Sequence, residues 1–239
     1  MKRPHRIILS IFVPLALLTM LYSSYWRPML PDYHALRYTP DKYVVLKRKL
    51  ATDRQILKKA YQNSPSKIEK NKILKKASRH FIGNMKQEFT FLYGTRWNFN
   101  GMTQIPGEGS IACGYFVSTT LQDASVKLNR IRLAQCVSEK IVTTLTDEAY
   151  IRRFSNVSLN KFVKAVGEMG DGLYVVGLDS HIGFLLCENS QVYFIHSSGF
   201  IPWCVLREEA ASSWVLAHTR YRIVGRLSSP EFITQWLVK

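Results

Sequence analysis

The sequence predicts an α+β fold in which a helix presents a cysteine to an antiparallel sheet. Three observations predict it. Two short apolar runs, Gly172–Leu178 and His181–Cys187, precede a turn-like Glu188-Asn189-Ser190 and a third run, Val192–His196, which is the pattern of neighbouring strands. The stretch Ser78–Tyr93 has helical spacing of apolar residues and ends at Gly94, a residue suited to closing a helix. A polar loop containing Gly101, Gly107 and Gly109 then gives way to an apolar segment, Ile111 to about Ala124, that reads as a second helix starting near Cys113.

Composition supports one globular domain with an N-terminal extension. The 239 residues are 46% hydrophobic and 12% aromatic, enough for a full core and unlike a disordered chain. The formal charge of +16 points to anionic surroundings: nucleic acid, anionic lipid or a charged envelope polymer. The four cysteines include no C-x-x-C pair, which argues against a zinc site or a disulfide framework. Cys136, Cys187 and Cys204 are expected to be small buried hydrophobes.

The N-terminus reads as a signal anchor over residues 1–26. Lys2, Arg3 and Arg6 precede Ile7–Trp26, which has no charged side chain. Twenty such residues in a helix rise about 30 Å, one hydrocarbon thickness. Tyr22, Tyr25 and Trp26 fall where an interfacial aromatic belt would lie. A cleaved signal is the alternative, but no small-x-small site follows the run. If the basic residues before the span stay in the cytoplasm, the body is expected on the exported side of the membrane, in the cell envelope, or secreted if the segment is cleaved; basic residues also follow the span, so a cytoplasm-facing body is the alternative.

Residues 27–77 read as a basic linker and helical neck. Between Lys42 and Arg79 lie thirteen Lys or Arg against Asp53 and Glu69, with apolar residues at roughly helical spacing on either side of Ser64-Pro65-Ser66. Two helices are expected, the second capped by Ser64 or Ser66. Such a neck suits anionic lipid or a wall polymer, or is a solvated stalk. Tyr43 and Tyr61 are too few for base stacking, and an exported domain meets little nucleic acid, so a nucleic-acid partner is disfavoured.

Residues 78–239 carry the chemistry. Cys113 falls in the first turn of its helix, with Ser110 or a neighbour as cap, and unpaired amides at a helix start favour a thiolate. A two-residue hairpin loop at Asn189-Ser190 would set Glu188 against Gln191 and His196 against Gly183, on the same face as His181 and diagonal to it; a four-residue loop keeps that parity, and a three-residue loop would put the two histidines on opposite faces. Gly183 leaves room for the two rings to meet. A base oriented by a second polar group is what a cysteine nucleophile requires. Residues 129–170 read as added helices (Leu128–Lys140, Thr146–Arg153, Ser158–Glu168) that cover the cleft. Further on, Glu208–Leu216 reads as a helix, Tyr221–Arg226 as a strand and Glu231–Leu237 as an amphipathic segment. His218 is taken as structural or surface.

Four segments resemble the NlpC/P60 family of papain-like cysteine peptidases. They are Gly94-Thr95-Arg96-Trp97-Asn98-Phe99-Asn100-Gly101, Ala112-Cys113-Gly114-Tyr115-Phe116-Val117, His181-Ile182-Gly183-Phe184-Leu185 and Phe194-Ile195-His196-Ser197. The resemblance spans residues 78–226. It implies Cys113 as nucleophile, His181 as base and His196 as the residue that orients it, with Trp97, Gly114 and Ser180 around the oxyanion and substrate. It implies no metal or organic cofactor, and a peptidoglycan stem peptide, often beside a D-glutamyl or diaminopimelyl residue, as substrate. The chain departs from the family where Asp precedes the cysteine (Ala112 here), where Ser follows it (Gly114) and where Tyr serves the oxyanion (Trp97). These departures keep open an inactive wall-binding or scaffold protein, or an acyltransferase or amidase using the same three residues.

Overall fold

The computed structural model describes residues 40–239, and its centre is a six-stranded antiparallel sheet of order β1-β6-β2-β3-β4-β5. The strands are β1 (Ile151–Ser155), β2 (Gly172–Leu178), β3 (Ile182–Glu188), β4 (Gln191–Ser197), β5 (Val205–Glu209) and β6 (Tyr221–Arg226). The eight α-helices of the described residues are α1 (Pro40–Gln62), α2 (Lys67–Leu92), α3 (Cys113–Asp123), α4 (Arg130–Ala134), α5 (Ser138–Leu145), α6 (Leu159–Gly167), α7 (Trp214–Ala217) and α8 (Pro230–Val238).

Strands β2 and β3 are buried almost throughout, which explains why they read as continuous apolar runs and not as alternating ones. One face of the sheet, with Val175, Phe184 and Ile195, packs against Met85 and Phe89 of α2 and Phe116 of α3. The other face, with Tyr174, Leu185 and Phe194, packs against Phe162 and Val166 of α6. The sheet is thus covered on both sides, a two-faced α+β arrangement.

The signal anchor expected over residues 1–26 lies outside the described residues, as does most of the linker before α1. Among the described residues no helix is long and apolar enough to cross a membrane. Two neck helices are present as expected, and Ser66 caps the second by accepting from the Glu69 amide at 3.2 Å. Their role differs from a neck. The expected boundary at residue 77 falls inside α2, which runs unbroken from the basic stretch into the core, where Ala77, Phe81, Met85, Phe89 and Leu92 are buried. Helix α1 also packs on the body: Leu57 joins the main core and the Arg54 Nε donates to the Trp236 carbonyl at 2.6 Å. Leu46, Leu50, Leu57 and Ala77 of this stretch are buried, whereas Ile56 and Ile68 stay exposed beside most of the cations.

The insertion also differs from expectation. The helix expected over 128–140 is interrupted, giving the short α4 and then α5. The segment expected as a helix up to Arg153 turns, after one 3-10 turn, into edge strand β1 paired with β6. Pairing with an open strand edge outweighs local helical preference there. Only Ser158–Glu168 matches closely, as α6.

Where α1, α2 and α3 meet, Glu88 is fully buried and neither carboxyl oxygen has a partner among the described residues. Burial first, then the nearby Asp123, pushes its pKa well above the ordinary carboxylate range, while Lys47 acts the other way. Asp123 itself is held by the Tyr43 hydroxyl at 2.7 Å and by Lys47 at 3.3 Å. The folded protein therefore keeps a proton on Glu88 that the unfolded chain releases above its ordinary value near pH ~4.3. Stability is full below that value and falls as pH rises toward the raised folded pKa. Glu88→Gln is expected to raise the melting temperature at pH ~8 and to change it little at pH ~4, with each kcal/mol gained worth about 2–4 °C. Thermal melts of both proteins across this range check it.

Candidate active site

Cys113 is the first residue of α3. Ala112 occupies the cap position and makes no side-chain cap bond, so Ser110 is not the expected cap. The Ser110 carbonyl instead accepts from the Thr103 amide, and the loop before the cysteine is fixed by backbone bonds: Ile111 N to Arg96 O and Ala112 N to Gly101 O, both 2.8 Å. Gly114 follows because nothing larger fits. A Cβ there would lie 2.3 Å from the Ala134 carbonyl of α4.

The hairpin forms in the expected register. Glu188 faces Gln191, and Asn189 and Ser190 both have positive φ, 50° and 65°, as a two-residue turn of type I′ demands. At Gly183 a Cβ would lie 2.8 Å from the His196 Cβ, so the missing side chain is what admits the second ring. His181 follows the tight Asp179-Ser180 turn, where the Asp179 carboxylate accepts from the amides of Arg220 and Tyr221 at 2.8 and 3.1 Å.

The two imidazoles are in contact: His181 Nε2 lies 2.8 Å from His196 Nδ1. His196 is buried, stacked on Phe194 at 4.0 Å between ring centres, and its Nε2 lies 3.1 Å from Glu208 Oε1. Ser213 donates to the same carboxylate oxygen at 2.5 Å. Sequence reasoning misses Glu208 because the residue reads as the start of a helix. It lies on β5, diagonal to His196 across the β4–β5 ladder, and the following helix is reduced to the short α7.

Cys113 and His181 line one cleft of about 830 Å³, together with Trp97, Gly114 and Ser180. All six residues expected at the site are therefore accounted for: five border this cleft, and His196 supports His181 from beneath. The Ser197 hydroxyl, next to His196, donates to the Ile111 carbonyl at 2.7 Å and so ties the strand of the second histidine to the segment leading into Cys113. The sulfur is approached by the backbone amides of Ile182, Gly114 and Cys113. Among the described residues no direct hydrogen bond joins it to the His181 ring. Catalytic contacts of this kind commonly tighten only when substrate fills the site. His218, expected to be structural or on the surface, is exposed, stacked on Trp214 at 4.1 Å, and also lines the cleft.

No family model, curated protein or solved structure matches this chain.

The electrostatics correct one expectation. Burial pushes the Cys113 thiol up, and the three amides only partly oppose it. The helix start therefore does not hold a thiolate at rest. Burial also pushes His181 well below the ordinary imidazole value, with His196 adding to the effect. His196 is lowered by burial as well, against a raising influence from Glu208. Both members of the Cys113–His181 pair rest neutral, which suits a base that takes the proton during attack and not a preformed ion pair. Of the remaining cysteines, Cys187 and Cys204 are buried as expected, while Cys136 is half-buried. Among the described residues no cluster of three or more His, Cys, Asp or Glu could hold a metal ion.

Proposed function

We propose that this protein is a cysteine hydrolase with Cys113 as nucleophile, His181 as general base and His196 as the residue that positions the base. The observation that carries it is the chain Glu208–His196–His181, ending in a cleft that also holds Cys113 at a helix start. The hydrogen bonds dictate the tautomers. An ionised Glu208 can only accept, so His196 Nε2 carries its proton. His196 Nδ1 is then an acceptor, and His181 Nε2 must donate to it. His181 Nδ1 is left with its lone pair open to the cleft.

In the reaction His181 Nδ1 takes the thiol proton as sulfur forms a bond to an amide carbonyl carbon. The carbonyl oxygen becomes an oxyanion, for which the amides at the α3 start and the Trp97 indole N–H are donors. His181 returns the proton to the leaving amine as the C–N bond breaks, giving a thioester. Water, deprotonated by His181, then releases the acid and restores the thiol.

The resemblance to NlpC/P60 peptidases supplies the substrate class, wall stem peptides; the uncharged stretch Ile7–Trp26 supports an envelope location with an anchor in the membrane, and the basic surface of α1 and α2 supports contact with anionic lipid or wall polymer. To test this, the full chain is incubated with peptidoglycan fragments before and after alkylation of Cys113, and products are read by mass spectrometry. Amide cleavage lost on alkylation is expected. Fragments left intact by the unmodified protein would remove the wall peptide as substrate and leave the acyltransferase or scaffold alternatives.

A further inference from the structure

The cleft that holds Cys113 is lined without charge. In a chain with 33 basic and 17 acidic residues, none of the described side chains bordering this cleft is Lys, Arg, Asp or Glu. Arg130, behind the wall, sits under the Tyr115 ring and is committed to Thr119 and to the carbonyls of Met102 and Thr103. Glu208 is likewise engaged, behind His196. Among the described residues, a substrate charge entering the cleft would meet no counter-charge.

Aromatic side chains occupy the lining instead. His218, Trp214 and Phe200 form a continuous wall, with ring centres 4.1 and 4.4 Å apart, and Trp203 and Trp97 extend it at 6.5 and 5.5 Å. On the loop before Cys113, Phe99 is 79% exposed and Met102 is 53% exposed. Large apolar side chains gathered in the open, around a nucleophile, mark a binding surface and not a solvated one.

Building on the cysteine-hydrolase reading, we infer that the acyl group delivered to Cys113 is uncharged and apolar, with an aromatic or branched side chain seated against Trp214, Phe200 and Phe99. Burying a carboxylate or ammonium there without a partner is costly, whereas an apolar group gains from every ring it covers. The D-glutamyl and diaminopimelyl carboxylates of a wall peptide therefore stay outside the cleft, and the carbonyl attacked belongs to a neutral residue or a simple acyl chain.

The test uses the purified full chain and three thiol reagents: iodoacetamide, N-phenyl iodoacetamide and iodoacetate. The labelling rate of the Cys113 peptide is read by mass spectrometry and divided by the rate for glutathione at the same pH. The normalised rate for the phenyl reagent is expected to exceed that for iodoacetamide by about tenfold or more, the scale on which an apolar pocket discriminates. Iodoacetate is expected to be slowest. Phe99→Ser and Trp214→Ser, on separate exposed segments, are each expected to pull the phenyl-to-iodoacetamide ratio toward one. Equal normalised rates, or preference for iodoacetate, would overturn the inference while leaving Cys113 an accessible nucleophile. A Cys113 that no reagent labels would overturn the hydrolase reading along with it.

Discussion

Cys113→Ala and His181→Ala are each expected to lower kcat by about 10⁴-fold or more, and the double variant is expected to be no slower than the worse single one. Groups that act as one unit are grossly non-additive, because removing either end leaves nothing for the other to do. Cys113 depends on this coupling more than a preformed thiolate would. Its thiol is pushed up by burial, so little thiolate exists near neutrality and the proton must leave during attack. Among the described residues, His181 is the one imidazole at the cleft whose other nitrogen is tied into a relay. The pH profile follows from the sign of its shift. His181 is pushed well below the ordinary imidazole value, so it remains a free base through the usual histidine range. The acid limb of kcat/KM is therefore expected below that range and not within it. A steady-state profile on a neutral peptide anilide checks both claims. An acid limb at or above the ordinary histidine value would mean that burial does not hold His181 down in the working enzyme.

How far this site is legible in the sequence depends on the range of the forces involved. The hairpin is legible once Asn189-Ser190 is taken as a two-residue turn, since a turn of that length sets the facing pairs after it and carries Gly183 up to His196. The position of Cys113 at a helix start is legible from the switch between polar loop and apolar run. Its protonation state is not, since local amides and burial act in opposite directions and burial is a property of the finished fold. Glu208 is hidden for a related reason. Val205-Leu206-Arg207-Glu208 followed by Ala210-Ala211 suits a helix locally, but the strand edge of β4 claims it. The β4–β5 connection, residues 198–204, is too long to fix a register from sequence, and only the folded ladder brings Leu206 opposite His196 and Glu208 two residues further on the same face. The boundary expected at residue 77 falls where the basic stretch gives way to buried residues, which begin at Ala77, but the helix itself is continuous from Lys67 to Leu92 because its backbone hydrogen bonds do not depend on which face is covered.

Glu208→Gln is expected to lower kcat by about 10²–10³-fold with little change in KM, although Glu208 lies behind His196 and touches no substrate. The change keeps shape and removes certainty about the protons. A carboxylate only accepts, and that single constraint propagates through two rings to leave His181 Nδ1 unprotonated. An amide can also donate. The substituted side chain can give a hydrogen bond to His196 Nε2, which moves the His196 proton to Nδ1, turns the 2.8 Å bond around and places a proton on His181 Nδ1. The base is then blocked at the atom that must receive the thiol proton. Ser213, which donates to Glu208 at 2.5 Å, can reverse its hydroxyl to suit either partner and so does not protect the tautomer. Nitrogen NMR of the two histidines distinguishes this from a packing defect. In the parent His181 is expected to be protonated at Nε2, and in Glu208→Gln a share of the Nδ1–H form is expected. Loss of activity with the His181 tautomer unchanged would mean that Glu208 acts only by holding the β4–β5 edge in place. Full activity would mean that His196 positions His181 without help from the carboxylate.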